Sequence, residues 1–298
     1  MLITGANSYI GTSFERYVAD HYSTELDVHT IDMKDPSWRS APFTTIDEST
    51  GEQVPYDIVF HVAGLAHADV GKVSQEIKNK YYAINTDLAI ETAKKARDEG
   101  VRQFVFMSSM IVYGKQEHID KATKPHPANF YGDSKWKADK GVRALREPGK
   151  FETTVLRPPM IYGKGSKGNY PTLSKIGRRV PVFPSYQNKR SMLYIENLCE
   201  FLSLVMIREV GGVLFPQNAE YSSTSEIVRE ISRVHEHKML ITRLLNPAVA
   251  VARRCPVKKV RDMASKAFGD SWYEMSMSKY DFDYQKIDLR TSIERTER

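Results

Sequence analysis

The sequence predicts an α/β fold, a doubly wound parallel sheet with a smaller, interleaved substrate-facing part toward the C-terminus. Three observations carry that prediction. Short apolar runs alternate with amphipathic, helix-length stretches through the first half of the chain. The chain opens LITGANSYIG, a strand that turns through a glycine-containing corner straight into a helical pattern. After LRPPMIYG the alternation loosens into a segment rich in Gly, Lys, Pro and Tyr. Neighbouring parallel strands need a right-handed, helix-length crossover, so this alternation implies helices on both faces of one sheet.

Taken in order, LIT is the first strand and a helix follows from about Tyr9 to Asp20. DVHTID is the next strand, then a loop, DIVFHVAG, and a long helix ending near Glu99. QFVFMSS, a helix over about Ser134 to Leu145, and TTVLRP complete the first half. The segment GKGSKGNYPTLSKIGRRVPVFPSYQNKR carries turn signals every few residues. YIENLCEFLSLVMI and GGVLFPQN then read as a helix and strand returning to the sheet. In SSTSEIVREI, Ser223 and Glu226 match a capping box that starts another helix. The domain reading is a Rossmann-type domain over 1–163, with its sheet completed by 191–217, and a mainly substrate-binding part over 164–298. No internal repeat or low-complexity tract interrupts the chain.

With 298 residues, 41% hydrophobic and 27% charged, the composition is that of a globular protein with a sizeable core. No stretch reaches the roughly 18 consecutive apolar residues of a membrane span. Met1 is followed at once by the first strand, which leaves no space for a secretory signal and predicts a cytoplasmic protein. Two distant cysteines, Cys199 and Cys255, exclude a disulfide framework, and no metal site is expected. The net charge is +6 and the pI about 9.1. Much of that excess lies in ARRCPVKKVR, where Arg253, Arg254, Lys258, Lys259 and Arg261 follow the apolar run AVAVA. This segment reads as a solvated face or as a peripheral contact with anionic lipid or a partner, not as a nucleic-acid site.

The opening turn GANSYIG needs an anion to explain it. A strand, a tight corner and a helix whose first amides point outward make a pyrophosphate site, here Gly5, Asn7, Ser8, Tyr9, Ile10 and Gly11. Ser8 stands where such turns carry a middle glycine; it is small, and its hydroxyl can donate to an oxygen. Asn7 tolerates a left-handed backbone. Asp32, twenty-one residues beyond Gly11, ends the second strand where a carboxylate can accept from both adenosine ribose hydroxyls. It would repel a 2′-phosphate, so the cofactor predicted is NAD rather than NADP, although Lys34 nearby keeps NADP open.

Chemistry enters with MSSMIVYG and YGDSK. The first ends a buried strand at Ser108 and Ser109, where open α/β sheets bind ligands. The second spaces Tyr131 and Lys135 one helical turn apart. Lys135 could bond the nicotinamide ribose, and its charge would lower the Tyr131 pKa and make the phenol a usable base.

With these pieces in order, the sequence resembles the extended short-chain dehydrogenase/reductase family, in particular its nucleotide-sugar epimerase and reductase branch. The resemblance runs over roughly the first 215 residues, from TGANSYIG through DIVFHVAG, YYAINTDLAIETAKKA, SSMIVYG, YGDSK and LRPPMIYG to RSMLYIENL. It implies that Ser109 touches the sugar, that Tyr131 and Lys135 are the catalytic pair, and that Asn85 supports the active-site architecture. It also implies that Ala63 and Gly64 pass beside the cofactor, that Pro158 lies near the nicotinamide, and that Asn169 and Arg190 meet a substrate diphosphate.

Departures from the family narrow the activity. Dehydratases carry an Asp-Glu pair where Met110 and Ile111 stand, and the GDP-fucose enzymes have a cysteine where Ile111 stands. The expected activity is therefore epimerisation at C4 of a UDP-hexose or UDP-N-acetylhexosamine through a transient 4-keto sugar, in polysaccharide biosynthesis, by a chain that admits a homodimer. The alternative is an NAD(P)H-dependent reductase of a UDP-4-keto-6-deoxy sugar. A non-catalytic dinucleotide sensor is the remote alternative, opposed by the retention of Ser109, Tyr131 and Lys135.

Overall fold

Six parallel strands build the central sheet: β1 Leu2–Thr4, β2 His29–Ile31, β3 Ile58–His61, β4 Gln103–Met107, β5 Glu152–Leu156 and β6 Gly212–Leu214. Their spatial order is β6-β5-β4-β3-β1-β2. Every neighbouring pair is parallel, with Leu2 opposite both His29 and Val59, and Phe104 opposite Thr153. β3 and β4 are buried at every position, as strands covered on both faces must be, which is why IVFH and QFVFM are nearly continuous apolar runs. This is the α/β, Rossmann-like fold expected. The computed structural model describes residues 1–5, 7–66 and 73–298.

The chain forms two compact units. The first comprises Met1–Lys115, Thr123–Pro158 and Leu198–Pro216; the second comprises Gln116–Ala122, Pro159–Asn197 and Gln217–Arg298. The return to the sheet thus runs over Leu198–Pro216, and the first unit's opening run reaches Pro158 with one short excursion.

Helices α1 Tyr9–His21, α3 Leu88–Asp98 and α4 Phe130–Arg143 cover the sheet of the first unit, and α2 Gln75–Tyr82, which buries no residue, packs against α4. Small side chains let α3 and α4 approach closely: Ala89, Ala93, Ala96 and Ala138 are fully buried among Phe104, Phe106 and Phe151. At Gly141 a Cβ would come within 2.3 Å of Ile90 Cδ1.

Three local features differ from the sequence reading. The loop after β2 contains an antiparallel pair, Thr44–Ile46 with Gln53–Pro55, because Asp47 turns the chain and Gly51 supplies a φ of 70°. The long helix ending at Asp98 is split by a π-helical turn over Ala83–Asp87, the kind of insertion that re-aims a side chain at a functional site. Helix α4 begins at Phe130, four residues before the expected start, because the Asn129 side chain accepts the Gly132 amide at 2.9 Å and caps it.

In the second unit Met160–Tyr162 pairs with Met192–Tyr194, Val182–Pro184 with Leu240–Thr242, and His118–Ile119 with Trp272–Tyr273. The capping box of Ser223 and Glu226 opens the helix Thr224–Val234 as its sequence requires.

Candidate active site

From β1 the chain winds to one side to make β2 and returns on the other for β3, so the loops after β1 and β3 leave the sheet edge in opposite directions. Such a switch point is where open α/β sheets take their ligands. Both loops are glycine-dependent. Gly5 has φ 99°, and a Cβ there would lie 2.6 Å from the Ala63 amide nitrogen. Asn7 adopts φ 69°, the left-handed conformation its side chain tolerates.

Ser8 is the N-cap of α1, and its Oγ accepts the Gly11 amide at 3.0 Å. A Cβ on Gly11 would meet that oxygen at 2.7 Å and Val62 Cγ1 at 3.3 Å. The first amides of a helix lack intrahelical acceptors. With that of Gly11 capped, those of Tyr9 and Ile10 remain for an anion, and the Ser8 hydroxyl proton stays free to join them. A cradle closed to any Cβ, a left-handed Asn and two outward amides fit a dinucleotide pyrophosphate. Ser8 therefore both caps the helix and leaves the turn competent.

Asp32 follows β2 directly and is exposed. Its Oδ1 accepts the Lys34 amide at 2.9 Å, while Ile31 before it accepts the Gly5 amide at 3.1 Å. The carboxylate thus follows directly on the residue that meets the Gly5 turn, with one oxygen committed to the Lys34 amide.

The chemistry-bearing residues converge at the ends of β3 and β4. Lys135 is buried, and its Nζ donates to the Met107 carbonyl at 3.0 Å. A Cβ on Gly64 would meet Lys135 Nζ at 3.2 Å and Asn85 Oδ1 at 3.1 Å, so this glycine admits both polar groups. Burial draws the Lys135 pKa down to about 8. Tyr131, one turn earlier in α4, packs edge-on against Tyr81 with ring centroids 6.0 Å apart.

Burial and, secondarily, Tyr81 push the Tyr131 hydroxyl up to about 12. The expectation that Lys135 would bring this phenol below its ordinary value is thus not met: desolvation dominates, and the ammonium is engaged by the Met107 carbonyl. Ser109 is the N-cap of a 3₁₀ turn, Met110–Tyr113, with Oγ accepting the Ile111 amide at 3.2 Å. Its hydroxyl proton is left for another acceptor. Met110 N donates to the Pro158 carbonyl at 2.9 Å, which holds Pro158 beside Ser109.

Several supporting residues escaped the sequence reading. Gly132 lets α4 sit against that 3₁₀ turn, since a Cβ there would come 2.9 Å from the Ile111 carbonyl oxygen. Ser108 differs from Ser109 in being internal, with Oγ donating to Asp139 Oδ2 at 3.2 Å. Asp139, fully buried, accepts from Arg157 Nε and Nη2 at 2.8 and 2.9 Å, and Arg157 Nη1 donates to Tyr113 Oη at 2.7 Å. The arginine of LRPP was the available signal for this brace. His61 at the end of β3 is fully buried, bonded through Nδ1 to Thr4 Oγ1 at 2.8 Å and held near 3 by burial and by Lys135, hence neutral.

The two diphosphate candidates stand in the second unit. Asn169 is exposed at the N-cap of the helix Tyr170–Arg179, with no side-chain bond to that helix. Arg190 bridges to Ser222 and Ser271 through its backbone, and its Nη1 donates to the Lys266 carbonyl at 2.8 Å, leaving other guanidinium protons. A polar cavity of about 400 Å³ in the same unit is lined by Lys189, Tyr221, Ser222, Arg229 and Asp270 among others, and was not anticipated.

Residues 1–214 match the model of the NAD dependent epimerase/dehydratase family. The chain is 28% identical over 247 residues to a UDP-glucose 4-epimerase of Vibrio cholerae, covering 78% of this chain and 74% of that protein. It is 29% identical over 224 residues to the N-acetyl-alpha-D-glucosaminyl-diphospho-ditrans,octacis-undecaprenol 4-epimerase of Escherichia coli O157:H7, covering 71% and 64%. The UDP-glucuronic acid 4-epimerase of Bacillus cereus, solved with NAD, shares the fold with a TM-score of 0.65 at 14% identity, over 99% of this chain and 94% of that one. No helix among the described residues is long and apolar enough to cross a membrane.

Proposed function

We propose that this chain, which belongs to the NAD dependent epimerase/dehydratase family and is an NAD-dependent enzyme, inverts C4 of a hexose or N-acetylhexosamine carried on a diphosphate, with a UDP-sugar as the substrate class. The observation that carries this reading is the convergence of Lys135, Tyr131 and the loop of Gly64 at the switch point, with Ser109 at the end of β4.

Bound NAD supplies the acceptor and donor of a hydride at C4. Tyr131 Oη takes the C4 hydroxyl proton as the carbinol becomes a ketone and returns it when the carbinol re-forms on the other face. Ser109 Oγ donates to the same oxygen and steadies the charge that develops there. Lys135 orients the cofactor ribose and supplies positive charge beside the phenol. Gly5, Asn7, Ser8, Tyr9, Ile10 and Gly11 would hold the pyrophosphate, Asp32 the adenosine ribose, Ala63 and Gly64 would pass beside the cofactor, Pro158 would lie near the nicotinamide, and Asn169 and Arg190 would receive the substrate diphosphate. Met110 and Ile111 offer neither acid nor base, so water is not eliminated.

A second reading, reduction of a 4-keto sugar, draws on the phenol itself. Its pKa of about 12 keeps Tyr131 protonated at neutral pH, the state a reductive step consumes.

Purified enzyme incubated with UDP-glucose, UDP-N-acetylglucosamine and a polyprenyl-diphospho-N-acetylglucosamine, without added cofactor, tests the two. The third substrate enters because the E. coli relative is named for a lipid-linked sugar. Interconversion of C4 epimers with cofactor retained from purification supports epimerisation. Inertness of all three, with consumption of reduced cofactor on a 4-keto-6-deoxy sugar, overturns it in favour of the reductase. The same reading keeps the enzyme in the cytoplasm, in glycan assembly.

A further inference from the structure

The residues from Arg243 to Lys266 hold seven Lys and Arg against one Asp, a balance of +6. That equals the net charge of the whole chain, because the rest carries 36 of the 43 basic and 36 of the 37 acidic side chains. The same short stretch concentrates the exposed aliphatic surface. Of eleven exposed large hydrophobic residues among those described, seven fall between 240 and 263: Leu240, Leu244, Leu245, Val251, Val257, Val260 and Met263. Leu244 is 87% exposed, Val251 70% and Met263 67%.

Helical geometry sorts these side chains onto the exposed side of each helix. In the helix Asn246–Arg254, Val249 is buried, whereas Ala248 and Val251 are exposed and continue a stripe that starts at Leu244. In the helix Lys258–Phe268, Ala264 is buried, Val260 and Met263 lie three apart on the exposed side, and the N-cap residue Val257 is exposed before them. The exposed cations Arg243, Arg254, Lys258, Lys259 and Arg261 flank these positions. The platform is fixed to its unit: Arg253 Nη1 donates to Tyr186 Oη at 2.8 Å, and Asn246 Nδ2 to the Ser185 carbonyl at 2.9 Å.

We infer that this pair of helices docks the enzyme on the surface of a bilayer containing anionic phospholipid. Aliphatic side chains facing outward with cations beside them invert the order of a solvated helix and match that of an interfacial one. Leu244, Val251, Val257 and Met263 enter the boundary between headgroups and acyl chains, while the flanking Arg and Lys meet lipid phosphates.

Charge selects this occupant over the others. A second copy of the chain would bring two faces of +6 together. A single-stranded nucleic acid would want aromatic platforms for its bases, and the exposed hydrophobics of this stretch are all aliphatic or Met. The inference is independent of the C4 chemistry proposed above.

Co-sedimentation of the full-length protein with vesicles tests it. Vesicles of phosphatidylcholine with about one third phosphatidylglycerol should retain the wild type at least about tenfold better than phosphatidylcholine alone at low ionic strength, and the difference should shrink as salt is added. Leu244→Ser/Val251→Ser/Met263→Ser should lower retention about tenfold or more while its melting temperature stays that of the wild type, since all three side chains are exposed. Arg254→Gln/Lys258→Gln/Lys259→Gln/Arg261→Gln should erase the preference for the anionic vesicles. The inference is overturned if the wild type stays in the supernatant with anionic vesicles at low salt, or if the triple serine variant is retained as well as the wild type. It is equally overturned if that variant merely abolishes self-association, or if the segment retains RNA and no vesicles.

Discussion

Asn85 holds Leu65 by both backbone atoms, its Oδ1 accepting the amide at 2.7 Å and its Nδ2 donating to the carbonyl at 3.0 Å. The same Nδ2 reaches Ser134 Oγ at 3.2 Å, and Ser134 Oγ donates to the Tyr131 carbonyl at 2.8 Å. One buried carboxamide thus fixes the Gly64 loop to the start of α4, the helix that carries both Tyr131 and Lys135. Asn85→Ala should leave the Leu65 amide and carbonyl without partners and cost about 1–3 kcal/mol. A lowered urea midpoint together with a lowered kcat is expected; an unchanged midpoint would show that the clasp carries no weight.

Tyr131→Phe should reduce turnover by about 10²-fold or more with cofactor still bound, because it removes the proton carrier and little contact surface. The pH profile has a definite sign. Tyr131 stands near 12, so the oxidative half-reaction should accelerate as pH rises from 6. Above about 8 the neighbouring ammonium of Lys135 loses its proton, and the rise should flatten or reverse. A profile flat from pH 6 to 9 would remove Tyr131 as the base.

Much of the fold was legible because parallel strands covered on both faces, such as Phe104–Met107, write themselves as unbroken apolar runs. The turn from Gly5 to Gly11 and the pair Tyr131 and Lys135 were legible because each rests on fixed local spacing. What the sequence hid depends on contacts between distant segments. Asp139 and Arg157 look like surface charges until α4 is laid against the end of β5. The sequence pairs Lys135 with Tyr131, but not with the Met107 carbonyl, and burial, which a local pattern does not encode, reversed the expected direction of the tyrosine shift. The exposed position of Leu244 and Met263 was hidden for the same reason, since an apolar residue in a helical pattern ordinarily faces a core.

The Asp139 and Arg157 pair is fully inside the first unit. Arg157→Leu would leave the buried Asp139 carboxylate with the Ser108 hydroxyl and the partly exposed Arg143, whose Nε donates to Oδ1 at 2.9 Å, and should cost about 1–3 kcal/mol, whereas replacing both Asp139 and Arg157 with apolar residues should recover part of that loss. Chemical denaturation of the two single variants and the double variant measures the coupling. Strict additivity would mean that the pair does not act as a unit.

Ser8 can be separated into its two roles. Ser8→Gly removes the cap to α1 but preserves the space for a phosphate, so stability should fall by only a few tenths of a kcal/mol and NAD affinity should hold or improve. Ser8→Ala should cost about 1 kcal/mol through the lost cap. Titration calorimetry with NAD and NADP on wild type and Ser8→Gly also tests the preference assigned to Asp32. Tighter NADP binding by the wild type would contradict it, and a large loss of NAD affinity in Ser8→Gly would show that the hydroxyl itself holds the phosphate.

Lys135 offers a test that needs no substrate. Its pKa in the folded chain is about 8, below the ordinary 10.5, because burial disfavours the ammonium. Between those values the unfolded chain binds a proton that the folded chain does not, so this group makes stability rise with pH across the interval from about 8 to 10.5. Below about 8 both states are charged and the cost of burying the charge is fully present. Lys135→Met removes that cost along with the bond to the Met107 carbonyl. The bond is a fixed loss, whereas the desolvation cost depends on pH. The melting temperature of Lys135→Met relative to wild type should therefore be highest near pH 7 and fall as pH approaches 10, even though turnover is lost throughout. A difference that stays constant from pH 7 to pH 10 would mean that the ammonium is solvated and that Lys135 does not lie buried beside the Gly64 loop.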